Sequence, residues 1–202
     1  MKLYSNKFAP SPRRVRMYAA EKGIALELVE IDIAAGAHQG ADYLAINSRA
    51  ELPTLELPDG SYLTESIAIC RWLEAEHPQP NLFGSSARER AAIDSCIDRL
   101  MFRMYVPLTH VFRNTHPFWA ERLTQVPAWG EQQRSAVLAE YAALNRELET
   151  SEFVTAGRFT IADIVAFTSI DFGKPSNLRA STAHPHLLRW YTAINARPSA
   201  RA

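Results

Sequence analysis

Residues 52–74 read Leu-Pro-Thr-Leu-Glu-Leu-Pro-Asp-Gly-Ser-Tyr-Leu-Thr-Glu-Ser-Ile-Ala-Ile-Cys-Arg-Trp-Leu-Glu, and this stretch limits the fold more than any other. Leu55 and Leu57 alternate with polar neighbours, as in a half-buried strand. Pro58-Asp59-Gly60 is a turn signal, and Tyr62 and Leu63 begin a second short strand. Thr64-Glu65-Ser66 then leads into a helix with Ile67, Cys70 and Leu73 at helical spacing. The turn forces an antiparallel pair and brings a Glu-Ser pair to a helix start. Backbone N–H groups and the positive end of the helix dipole make such a start a natural carboxylate site. An ordinary N-cap, with Glu65 complementing the dipole, reads the same triplet equally directly.

What precedes it must join the same sheet. Leu3 and Tyr4 open a short strand, and Lys7 to Pro12 reads as a loop because of its prolines. Arg13 to Lys22 is a helix with Val15, Tyr18 and Ala19 on one face and Gly23 as its stop. Leu26, Leu28, Ile31 and Ile33 mark a second strand, and Asp42 to Ile46 a short helix. A strand–helix–strand unit makes a parallel pair, so together with the hairpin the sheet is mixed. Four mixed strands with helices on the faces, ending near residue 77, form a thioredoxin-like βαβαββα layout.

His77-Pro78-Gln79-Pro80-Asn81 opens a linker, taken as residues 78–87, and the texture then becomes helical. Residues 88–202 read as an all-α helical bundle, so the class is α+β followed by α. Ile93, Ile97, Leu100 and Met104 lie along one long amphipathic helix, which Pro107 should kink. Val126-Pro127 falls in a loop, and Val137, Tyr141, Leu144 and Leu148 mark a further helix. Thr160-Ile161-Ala162-Asp163 is a capping box before a nearly continuous apolar run, which makes Thr160 and Asp163 structural rather than catalytic. A last helix begins at Pro185.

Lys+Arg and Asp+Glu balance at 22 each, so charge gives no pointer to nucleic acid or an anionic membrane. No apolar run approaches a membrane span, and the N-terminus turns polar at once, so a cytoplasmic location is expected. Cys70 and Cys96 sit in apolar helical patterns without CxxC spacing, and no metal site is read from the sequence.

Taken together, Leu52-Pro53-Thr54-Leu55, Leu57-Pro58-Asp59-Gly60 and Leu63-Thr64-Glu65-Ser66-x-Ala68-Ile69 resemble the most characteristic segment of the cytosolic glutathione transferase family. Asn47, Thr160 to Ile164, and His184-Pro185-His186-Leu187-x-x-Trp190-Tyr191 with Arg197-Pro198 fit the same family, in order and over nearly the whole chain. The resemblance implies a thioredoxin-like domain, a helical domain, usually a homodimer, and glutathione as co-substrate with a small hydrophobic electrophile. It implies a cis Leu52-Pro53 bond, with the Leu52 main chain pairing to the cysteinyl backbone of glutathione. Ser66 and the helix start would receive the γ-glutamyl carboxylate, and Glu65 its ammonium or nearby backbone. Thr64 would be a positioning residue.

The first loop departs from the family pattern. Aligning Ala9-Pro10-Ser11-Pro12-Arg13-Arg14-Val15-Arg16 places Ala9 where relatives carry a catalytic serine or cysteine. Ser11, two residues on, is the candidate for thiol contact; capping of the first helix is its other reading. Glu51 stands where many relatives carry a donor for the glycine end, and His38 or Gln39 could supply one instead. Phe8, Tyr105, Phe112 and Phe118 are the apolar candidates for the electrophile pocket. Two functions follow: an enzyme that activates the glutathione thiol for conjugation, peroxide reduction or disulfide exchange, or a binding or regulatory protein that keeps the fold without transferase activity.

Overall fold

The structure, a computed structural model, describes all 202 residues and divides into two compact units, residues 1–82 with 198–202, and residues 83–197. In the first unit the order is β1 (Lys2–Ser5), α1 (Pro10–Glu21), β2 (Glu27–Glu30), α2 (Ala41–Leu44), β3 (Thr54–Glu56), β4 (Tyr62–Thr64) and α3 (Ser66–Glu76). The sheet runs β2-β1-β3-β4, with β1 parallel to β2 and antiparallel to β3. The mixed sheet expected from the βαβ unit and the hairpin is present. Leu3 faces Leu28 and Leu55 in register, and Leu55 faces Leu63. Leu3, Leu55, Val15, Tyr18, Ile69 and Leu73 are buried, forming the core on which α1 and α3 pack.

Several local expectations change. Residues 10–12 belong to α1: proline lacks an N–H, but the first turn of a helix needs none. The second strand is only four residues long and lies at the sheet edge, where Leu28 remains 55% exposed. The last five residues, expected within the helical domain, belong to the first unit. The Arg13 guanidinium donates to the Ala200 carbonyl at 2.9 Å, and the Ser199 hydroxyl bonds Glu21.

The second unit contains α4 (Ala87–Leu100), α5 (Val106–Thr115), α6 (Pro127–Glu147), α7 (Ile161–Phe172) and α8 (Pro185–Asn195). Residues 101–105, between α4 and α5, form a π-helical turn. Pro107 has no N–H to return to Arg103, and the widened turn just before it accommodates that loss. Pro127, expected in a loop, is the first residue of α6. Every residue of α7 from Ile161 to Ile170 is buried, so an all-round apolar helix occupies the centre of this unit. No helix is long and apolar enough to cross a membrane.

Candidate functional site

The hairpin delivers Glu65 and Ser66 to the start of α3 in an unusual conformation. Glu65 is the N-cap, with φ 66° and ψ 112°, a region that side chains rarely occupy. No side chain caps this helix. Ser66 is the first helical residue and Glu65 makes no cap bond, so the ordinary side-chain N-cap read from the triplet is not what forms. The first-turn N–H groups of α3 receive no side-chain acceptor, and Glu65 itself is exposed. Such an end suits an anion.

Ser66 is buried, and its hydroxyl accepts a 2.7 Å hydrogen bond from Arg14 Nη1 of α1. Three arginines crowd the first two turns of α1, where the helix dipole disfavours cations. Each has its own task. Arg13 holds Ala200, Arg14 backs Ser66, and Arg16 donates to Ser5 Oγ at 2.6 Å and to the Asn6 and Lys7 carbonyls. Asn6 Nδ2 in turn reaches Glu30 and the Ile31 carbonyl, while its Oδ1 receives the Phe8 N–H. The loop leading to α1 is thereby fixed to β2.

The Leu52-Pro53 bond is cis, and a polar cluster grips both sides of it. The Tyr43 hydroxyl donates to the Glu51 carbonyl at 2.6 Å and shares a 2.9 Å bond with Thr54 Oγ1. Asn47 Nδ2 donates to the same two oxygens at 2.9 and 3.2 Å. Burial pushes the Tyr43 phenol up, so it remains a donor. The Glu51 side chain is exposed. The sequence pattern placed Arg14 in the first-loop alignment without a role and did not point to Tyr43. For Arg14 the signal was the costly run of cations at a helix start; for Tyr43 there was none, because its partners lie 8 and 11 residues away across a bend.

At the start of α1 the N-cap is Ala9, with no side-chain cap bond, and Ser11 is the second helical residue. Ser11 therefore does not stand at the N-cap position. Pro10 and Pro12 carry no N–H, so among the first three helical residues only Ser11 has donors, one on the backbone and one on the side chain. His38 lies on a short 3₁₀ turn before α2, and its Nδ1 is buried without a hydrogen-bond partner.

Neither thiol of the chain is suited to nucleophilic work. Both are buried, and burial pushes Cys70 strongly up and Cys96 up to about 11. No group of three or more metal-ligating side chains stands together.

Phe8, in the first unit, is 80% exposed, with the Lys7 ammonium 4.8 Å from its ring. Tyr105 and Phe112, in the second, converge on Phe172 at 6.3 and 5.3 Å between ring centres, and Phe118 stacks on Phe112. Asp163 is fully buried. It accepts from the Thr160 and Val154 N–H groups at 2.9 and 3.1 Å and from Trp190 Nε1 at 2.9 Å. Burial raises its carboxyl to about 6, against the pull of these donors.

Two family models match the chain: the N-terminal domain of glutathione S-transferase over residues 8–76, and the C-terminal domain over residues 113–198. A crystal structure of a glutathione S-transferase domain-containing protein from Marinobacter aquaeolei VT8 is 33% identical, with 98% of this chain and 99% of that one covered and a TM-score of 0.89. The crystal structure of Gtt2 from Saccharomyces cerevisiae is 28% identical, with 98% of each chain covered and a TM-score of 0.92. Glutathione S-transferase 2 of Saccharomyces cerevisiae is 28% identical over 205 residues, covering 100% of this chain and 88% of that protein.

Proposed function

This chain belongs to the glutathione S-transferase family, and from that premise we propose that its first unit binds glutathione and activates the thiol for attack on an electrophilic or disulfide substrate. The observation that carries the reading is the start of α3: a helix end with no side-chain cap, introduced by a residue at φ 66° and fronted by a buried serine. A strained and uncapped end costs stability, and a ligand carboxylate offsets that cost. The γ-glutamyl carboxylate takes the Ser66 hydroxyl and the α3 N–H groups, and the exposed Glu65 meets the ammonium. The Leu52 main chain, beside Pro53 and held by the Tyr43–Asn47 cluster, pairs with the cysteinyl backbone. His38 serves the glycine end.

The thiol lies at the start of α1, where Ser11 and the helix dipole stabilise the thiolate. Its proton passes to solvent. The sulfur then forms a bond to the electrophilic carbon as the leaving group departs with the bonding electrons. With a disulfide, the thiolate attacks one sulfur and releases the other as thiolate; a second glutathione completes the exchange. Because Cys70 and Cys96 are buried and their thiols raised, glutathione supplies every reacting thiol. Phe8, 80% exposed in the first unit, is the apolar contact that this unit offers to a small hydrophobic substrate.

Association as a homodimer belongs to the same reading. In the second unit Phe102 is 72% exposed beside an open groove of about 490 Å³ floored by Ala136, Ala139 and Ala143. Arg99 pairs with Glu147 and Glu140 within the chain, so the exposed Phe102 and the alanine floor are what this face offers to a second copy. Phe102→Glu shifts the sedimentation coefficient to that of a monomer; an unchanged dimer places the interface elsewhere.

Ala9 favours a second reading, a binding or regulatory protein, since the N-cap of α1 offers neither hydroxyl nor thiol. Retention on immobilised glutathione, followed by turnover of an aromatic electrophile and of a small disulfide, separates the two. The enzyme reading expects retention and turnover in the wild type and loss of turnover in Ser11→Ala. Retention without turnover supports the binding protein, and neither sinks the glutathione site. Unchanged turnover in Ser11→Ala removes Ser11 from the chemistry.

A further inference from the structure

We propose that Arg14 is the positioning residue of the carboxylate subsite, orienting the Ser66 hydroxyl as a donor and placing a buried positive charge behind it; this rests on the glutathione reading above. Arg14 is completely buried in the interior of α1. Burying a guanidinium costs several kcal/mol, and where packing is all that is needed an apolar residue of similar volume does as well or better. Its Nη1 donates to Ser66 Oγ, 52 residues away, at 2.7 Å.

That bond fixes the polarity of the serine. A hydroxyl has one proton and two acceptor lone pairs. With one lone pair taken by Arg14, the Ser66 proton is directed toward an acceptor at the start of α3. The first-turn N–H groups, with no side-chain cap, converge on the same end. A carboxylate there meets an oriented O–H, backbone donors and, one hydroxyl further back, a permanent cation in a low-dielectric interior. A neutral or cationic ligand group at this position gains none of this. Arg14 therefore selects for the α-carboxylate of the γ-glutamyl residue without touching it.

Dissociation constants for two probes test this: glutathione, and 4-aminobutyryl-cysteinylglycine, which lacks only that carboxylate. Wild type is expected to prefer glutathione by on the order of tenfold to a hundredfold, the range for charge-assisted hydrogen bonds. Arg14→Met should bring the preference close to one by weakening glutathione while leaving the analogue unchanged. Arg14→Lys, which keeps a cation, should restore part of it. In the Arg14→Met background, Ser66→Ala should cost less than it does alone.

Loss of affinity for both probes equally, or glutathione preference undiminished in Arg14→Met, overturns the role of Arg14 while leaving the glutathione site standing. A wild type that binds glutathione no better than the analogue overturns the carboxylate subsite itself; one that binds neither overturns the glutathione reading with it. If Arg14→Met does not fold, Arg14→Lys decides by the same ratio. If neither variant folds, Arg14 is a packing residue and the proposal fails.

Discussion

Helices α3 and α7 both begin with a hydroxyl residue and an acid close together in sequence, yet their first turns are built for opposite ends. At α7 every partner is internal. Thr160 and Asp163 form the reciprocal capping box, and Asp163 also holds the Val154 N–H and Trp190 Nε1. The donors are saturated and buried, so nothing remains for a ligand. At α3 the acid points to solvent from a left-handed backbone, the serine is backed by an arginine, and no side chain caps the helix. A saturated helix start holds a fold together. An unsaturated one, held open by other parts of the structure, awaits an anion.

Breaking the α7 side should produce the largest effect. Asp163→Ala leaves several buried donors without an acceptor, at about 1–3 kcal/mol each, and removes the cap. Chemical denaturation should show a loss of about 4 kcal/mol or more. A loss below about 1 kcal/mol would mean the box contributes no more than a surface cap, and the contrast with α3 would collapse.

The pH dependence comes next. The Asp163 carboxyl is raised from 3.8 to about 6 in the folded chain, so between those values the folded state holds a proton that the unfolded state has released. Its contribution is fully present below about 3.8 and is lost as pH rises through about 6, roughly 3 kcal/mol in all. Asp163→Asn should remove that slope from the stability–pH profile after its constant offset is subtracted. An identical slope in the variant assigns the proton elsewhere.

On the α3 side the effects should appear in binding as well as in folding. Ser66→Ala is expected to weaken glutathione about tenfold and, by taking the acceptor from the buried Arg14 Nη1, to lower the unfolding free energy by about 1–3 kcal/mol. A stability loss with unchanged affinity would make α3 start like α7. The smallest effect expected is from Glu65→Gly. Glycine accepts φ 66° freely, so the variant should unfold about 2 °C higher while binding glutathione more weakly. A lower melting temperature would mean Glu65 is not strained where it stands.

Sequence legibility followed the distance over which each decision is made. The Pro58-Asp59-Gly60 turn, the α7 box and the apolar faces of α1 and α6 could be read because their physics acts within a few residues. The first loop was misread as irregular because two prolines exclude a helix interior but not its first turn. The likeness of Thr64-Glu65-Ser66 to an N-cap was real, yet the backbone angle at Glu65 removed it. Nothing in the triplet announces that angle.

The sequence by itself determined the order of elements, the mixed sheet, the central helix and the family, since periodicity, turn chemistry and motif spacing are properties of the chain. Only the tertiary structure decided what the α3 start is for. Arg14 and Ser66 meet across 52 residues, and Tyr43 with Asn47 grips both sides of Leu52-Pro53. Whether a polar group is saturated or left available depends on which distant partners packing brings within about 3 Å, and local pattern carries no record of that.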